Sequence, residues 1–186
     1  MKKFLAAFLG ALIAFVWSAI VHMNPVTGPM GLSMFGAKED TVLAALKSNV
    51  TEPGLYFFPG MDMSKKMTKA EEDAWTAKYK NGYGLLLFHP AGGAPMEPKQ
   101  LIVEFVSTLG CACLAACILG SLVGTCGCRA SKVAMIGLFG WLAISVSQMN
   151  WYGFPFAFIA VDLIDQAIGW FLAGLLMAKM IKAPTA

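Results

Sequence analysis

Charge is what this chain has least of: 13% of its 186 residues are Asp, Glu, Lys or Arg, against 58% hydrophobic. Ordinary soluble domains carry about 25% charged residues, so a freely soluble enzyme is a poor fit. The formal net charge is only +3, and the basic residues are scattered or grouped at the ends of apolar runs. A nucleic-acid partner, which needs a basic stripe with interleaved aromatics, is thereby excluded. Cysteine is missing from residues 24 to 100, all five falling between Cys111 and Cys128. No disulfide therefore stabilises that long polar stretch, even in an oxidising compartment. Histidine occurs only as His22 and His89, on very different elements, which disfavours bis-histidine haem ligation. The patterns HExxH, GxSxG, CxxC and the Walker loop are all absent. The strongly specific catalytic signatures are thus missing, and no cofactor is expected.

What is abundant is apolar sequence, with a mean hydropathy of +0.65. The length allows about four helical spans of roughly 20 residues each and one modest polar segment. Residues 4–23 give the first span. Its apolar run is longer than a signal-peptide core and ends in "VHMNP" without a small-x-small cleavage site, so a retained helix is expected. Residues 101–125 and 133–149 give the second and third spans, joined by a loop at 126–132. The fourth runs over 155–181, opening at Pro155 and stopping at "KAPTA". The fold class expected is an all-α membrane protein, a four-transmembrane-helix bundle forming a single membrane unit over 1–186, with a small mixed α/β extracytoplasmic insertion.

Orientation follows from the basic residues. Lys2, Lys3, Arg129, Lys132, Lys179 and Lys182 all lie on one side of a four-span arrangement, while the opposite connection "NWYGFP" carries no charge. Both termini are expected in the cytoplasm and residues 24–100 outside or in the periplasm. Within that segment, "KEDTVLAALKSNV" (38–50) and "SKKMTKAEEDAWTAKYKN" (64–81) read as helices, and "GLYFFPG" (54–60) and "YGLLLFHPAGG" (83–93) as two short strands. Two strands alone are marginal, so the segment is expected to pack on something else. "NVT" at Asn49 matches a glycosylation acceptor, which matters only in a eukaryotic secretory setting.

Small residues recur every fourth position on the first span (Ala6, Gly10, Ala14, Ser18) and the second (Ala112, Ala116, Gly120, Gly124). Such stripes let helix backbones approach closely and mark a bundle or oligomer interface. Cys111, Cys113 and Cys117 fall within lipid and Cys126 and Cys128 at the cytoplasmic end. They read first as small packing residues, with a CxC metal or redox site and lipidation as alternatives; whether a metal binds is left unknown.

Asp162 and Asp165 interrupt the fourth span. Counting back from Lys179 sets them roughly 5 to 10 Å below the outer surface. They share a helix face with Gln166, Gly169 and Ala173, turned from lipid. His22 ends the first span, Glu104 begins the second, and Ser145, Gln148 and Asn150 end the third. Four helices are thus expected to feed one outer polar layer. It reads either as a hydrogen-bonded plug or as an ion, proton or metal site built on His22, Glu104, Asp162, Asp165 and Gln148.

The stretches "FVWSAIVHM", "EDTVLAALKSNVTEPGLYFFPG" and "GLFGWLAISVSQMNWYGFPFAFIAVDLIDQAIGWFLAGLLMA" resemble a family of small uncharacterised bacterial four-span integral-membrane proteins. The resemblance covers most of the chain and implies an external insertion after the first helix and a bacterial inner-membrane setting. It brings no activity and no catalytic residue, and the cysteine-rich second span departs from it. The leading expectation is a non-catalytic accessory or scaffold subunit, in contact with the lipid bilayer and with other membrane subunits or copies of itself. A small ion- or proton-coupled transporter or channel oligomer is the alternative, and a metal or thiol enzyme the third.

Overall fold

The computed structural model describes residues 1–184. Thr185 and Ala186, the end of the "KAPTA" tail, lie outside the described residues. Four helices are long and apolar enough to cross a membrane: α1 (Lys2–Met23), α4 (Pro98–Leu119), α5 (Cys126–Tyr152) and α6 (Phe156–Met180). Between α1 and α4 come a 3-10 turn (Gly36–Lys38), α2 (Glu39–Asn49), β1 (Gly54–Phe58), α3 (Lys69–Asn81) and β2 (Gly84–Phe88). The chain divides into two compact units, residues 1–33 with 96–186, and residues 34–95.

In the helical unit neighbours run in the order α4–α1–α6–α5, and α4 and α5 have little direct contact. Small side chains make this packing possible. Ala6, Ala7, Ala11 and Ala14 of α1, Ala112, Ala115 and Ala116 of α4, and Ala173 and Met177 of α6 form one buried core. Phe105 adds edge-on contacts to Phe8 and Phe15, with ring centroids 5.7 and 5.6 Å away. Between α5 and α6 the approach is close enough that a Cβ on Gly137 would lie 2.5 Å from the Gln166 carbonyl oxygen. The stripe read on the second span does not run to its end, because Gly120 caps α4 and Gly124, at φ +118°, lies in the following connection. That connection is also short. Residues 126–132, expected as a loop because of their charge, are the first two turns of α5, started by the Thr125 hydroxyl accepting from the Cys128 N–H at 3.3 Å.

Arg129 explains why a basic residue belongs inside that helix. It is 3% exposed, and its guanidinium donates to Leu119 O at the end of α4 (2.8 Å) and to Ala178 O and Ile181 O at the end of α6 (3.1 and 2.9 Å). A cation there meets the negative ends of two helix dipoles and satisfies carbonyls that helix ends leave unpaired.

The second unit has a different character. β1 and β2 pair antiparallel, with Gly54 opposite Phe88 and Phe58 opposite Gly84. α3 opens with a reciprocal cap: Thr68 Oγ1 accepts from the Glu71 N–H, and the Glu71 carboxylate accepts from the Thr68 N–H at 2.7 Å. Trp75 donates to Pro59 O at 3.0 Å, and Tyr79 stacks on Tyr83 at 4.4 Å. No residue from Met34 to Pro95 is buried.

Candidate functional site

Ser18 and His22 are one turn apart on α1 and so share a face. α6 meets that face with Asp165, Gln166 and Gly169. Gly169 has room for no side chain, since a Cβ there would lie 2.8 Å from the Trp17 ring. The close crossing brings Asp165 Oδ2 to 3.3 Å from Ser18 Oγ and 3.2 Å from Gln166 Nε2, each of which donates to it. His22 Nε2 lies 3.8 Å from the same oxygen, the histidine side chain 46% exposed and the aspartate 12%. Gln166 is held in turn by Trp170 Nε1, which donates to Gln166 Oε1 at 3.0 Å. Asp165 Oδ1 has no hydrogen-bond partner among the described residues.

Beside this carboxylate is a cavity of about 40 Å³ whose polar lining is Ser18, Glu104, Thr108, Asp165, Gln166 and Trp170, with Ala14 and Gly169 completing the wall. Glu104 and Thr108 enter it from one turn of α4. Space for water needs only about 10–15 Å³, so this volume has room for a few waters or one small cation. The lining offers two carboxylates, two hydroxyls and one amide.

The expected polar layer is therefore divided. Asp165 joins Ser18, His22 and Glu104 on the α1–α4 side, whereas Asp162 faces α5 and accepts from Ser145 Oγ at 3.0 Å. Gln148 is partly buried near the end of α5 and makes no hydrogen bond among the described residues. Of the residues singled out for helix packing, Ala6, Gly10, Ala14, Ala112, Ala116, Gly169 and Ala173 are buried within the chain, and Ser18 serves the carboxylate. Sequence reasoning missed Trp170, whose position one turn beyond Gln166 was the available signal, and the buried role of Arg129.

No three His, Cys, Asp or Glu side chains form a metal-ligating group among the described residues. All five cysteines are unpaired, and Cys126 Sγ contacts Leu175 O at 3.4 Å. His22 and His89 belong to different units. The Asp165 site has the parts to accept and release a proton or hold one small cation, and it lacks an activated nucleophile. No protein-family model, curated protein or solved structure matches the chain.

Proposed function

We propose that the chain is a multi-pass protein of the bacterial inner membrane acting as a non-catalytic subunit, with α1, α4, α5 and α6 as its spans. In this reading both termini are cytoplasmic and the segment between α1 and α4 is external. Two features support membrane residence. No more than 33% of the spanning window of any of the four helices is buried within the chain, and their outward positions are residues such as Phe4, Phe8, Leu12, Val16, Ile102, Val106, Phe139 and Leu142. Lipid or another apolar surface must cover them.

The observation that carries the subunit reading is the external unit's lack of any buried residue from 34 to 95. Sixty-two residues with none buried cannot offset their conformational entropy alone, so this unit is built to be covered by something else. The intramembrane small-residue stripes are occupied within the chain, and association therefore relies on the external unit and the apolar outer faces. Gentle extraction from native membranes tests this: an assembly clearly larger than the 19.9 kDa chain is expected, and a lone monomer in every mild detergent would overturn it.

A second reading, a proton- or cation-binding role in a small transporter or channel oligomer, is favoured by the free Asp165 Oδ1 beside the 40 Å³ cavity. In liposomes Asp165→Asn is expected to abolish cation or proton flux and Asp162→Asn, whose carboxylate faces Ser145, to leave most of it. Flux unchanged by Asp165→Asn would sink this reading.

A further inference from the structure

The two-stranded sheet of the external unit has two outer edges, and they are not alike. β1 is bounded directly by Pro53 and Pro59, residues that blunt an edge against further pairing. β2, "GLLLF", has no proline or charged residue within it, and from Asn81 to Met96 the chain carries no Asp, Glu, Lys or Arg. Outside the β1–β2 ladder, no residue of β2 takes part in a backbone hydrogen bond among the described residues. Leu87 is 65% exposed. An apolar, unprotected edge is the feature that natural sheets avoid unless it is paired.

We propose that the outer edge of β2 pairs antiparallel with the same edge of a second copy, giving a four-stranded sheet in the order β1–β2–β2–β1. Three properties favour a copy over an unrelated chain. Identical strands pair self-complementarily about a two-fold axis, with Leu86 on the axis and Leu85 opposite Leu87. The unit has seven lysines and seven carboxylates between residues 34 and 95, so copies do not repel. Leu85 and Leu87 share a face with Leu55 and Phe57 across the ladder, and pairing extends that apolar face over four strands, beyond the two that are marginal alone.

A five-residue edge covers less than the roughly 1,200–2,000 Å² of a stable soluble complex. The difference is met by confinement, because both ends of the unit continue into spanning helices and copies in one bilayer meet at high effective concentration. The proposal thus rests on the membrane-subunit reading and names its partner.

The test uses the full chain in membranes, its five native cysteines replaced, with one cysteine introduced by Leu86→Cys. Strand centres paired this way lie about 4.5–5.5 Å apart, within disulfide range. Mild oxidation is expected to give a band at twice the 19.9 kDa chain mass, absent for Tyr56→Cys on β1 and for Ser48→Cys on α2, and lost when Leu87→Lys is added. Cross-linking at Tyr56→Cys instead, or capture of a different mass by Leu86→Cys, overturns the proposal. Oligomers without any Leu86→Cys cross-link also overturn it and leave the subunit reading standing, whereas a monomer throughout removes both. In unmodified protein the outward amides of Leu85–Phe88 should exchange slowly in the dimer and fast on dilution, and fast exchange at every concentration counts against pairing.

Discussion

Arg129→Ala removes a guanidinium that is 3% exposed and that donates to Leu119 O, Ile181 O and Ala178 O at 2.8, 2.9 and 3.1 Å. Each hydrogen bond to a charged group contributes about 1.5–3 kcal/mol, so three in full would amount to about 4.5–9 kcal/mol. Two effects reduce that. The carbonyls lie at helix ends, where water entering the vacated space recovers part of the loss, and removing the cation also removes the cost of having desolvated it. Lost attraction to two helix C-termini restores about 0.3–1 kcal/mol each. The net destabilisation is about 2–4 kcal/mol, which for a chain this long lowers the midpoint by about 5–15 °C. Thermal unfolding in detergent, followed by near-UV circular dichroism, reads this directly. Arg129→Lys keeps the charge but not the planar fork and is expected to fall between. Lys132→Ala, on an exposed position of the next turn, is the control and should change stability by no more than about 0.5 kcal/mol. An Arg129→Ala midpoint within about 2 °C of the control would refute the clamp, since less than about 1 kcal/mol would then be at stake.

Other outcomes follow from particular contacts. Gly137→Leu forces α5 and α6 apart, because even its Cβ would meet the Gln166 carbonyl at 2.5 Å and the Trp170 ring at 2.7 Å; a loss of about 1–3 kcal/mol is expected, while Gly140→Ala, with nothing within 4 Å, should be neutral or stabilising in the same melt. The Thr68 N–H and then its hydroxyl hold the Glu71 carboxyl below its ordinary value of 4.5. Because the folded value is the lower one, the cap's contribution is present above 4.5 and is lost as pH falls through the depressed value; a carboxyl ¹³C titration should show a low midpoint for Glu71 that returns to the ordinary range in Thr68→Ala. Replacing Cys111, Cys117 and Cys128, all exposed and unpaired, should each cost no more than about 0.5 kcal/mol, and loss of folding on any one replacement would point to a role for that thiol beyond packing.

Much of the helical framework was legible because a span is a local property: 20 apolar residues are visible without knowing what they touch. The helices at 39–49 and 69–81 and the strands at 54–58 and 84–88 fall within the expected stretches for the same reason. Boundaries were harder. "TKAE" at 68–71 carries the cap that starts α3 five residues into the stretch expected as helix, and Thr125 starts α5 seven residues earlier than charge alone indicated. Arg129 reads in sequence as a boundary charge, since the carbonyls it binds come from positions 119, 178 and 181, which no local pattern connects. Periodicity puts Asp162 and Asp165 on a face turned from lipid but does not say which neighbour each one meets. Residues three apart on a helix differ by about 60° in direction, enough to send Asp162 to α5 and Asp165 to α1, and which neighbour each meets depends on helix order rather than periodicity.

The central claim is that this chain crosses a membrane four times with residues 34–95 outside and the α4–α5 connection inside, and thiol accessibility in intact inner-membrane vesicles and spheroplasts tests it most directly. In spheroplasts a membrane-impermeant maleimide should label Ser48→Cys in a cysteine-free background at once, and should label Cys128, exposed beside that connection, as the single retained native cysteine only after the membrane is opened. Protection of Ser48→Cys with immediate labelling of Cys128, or labelling of both from the same side, would contradict the account.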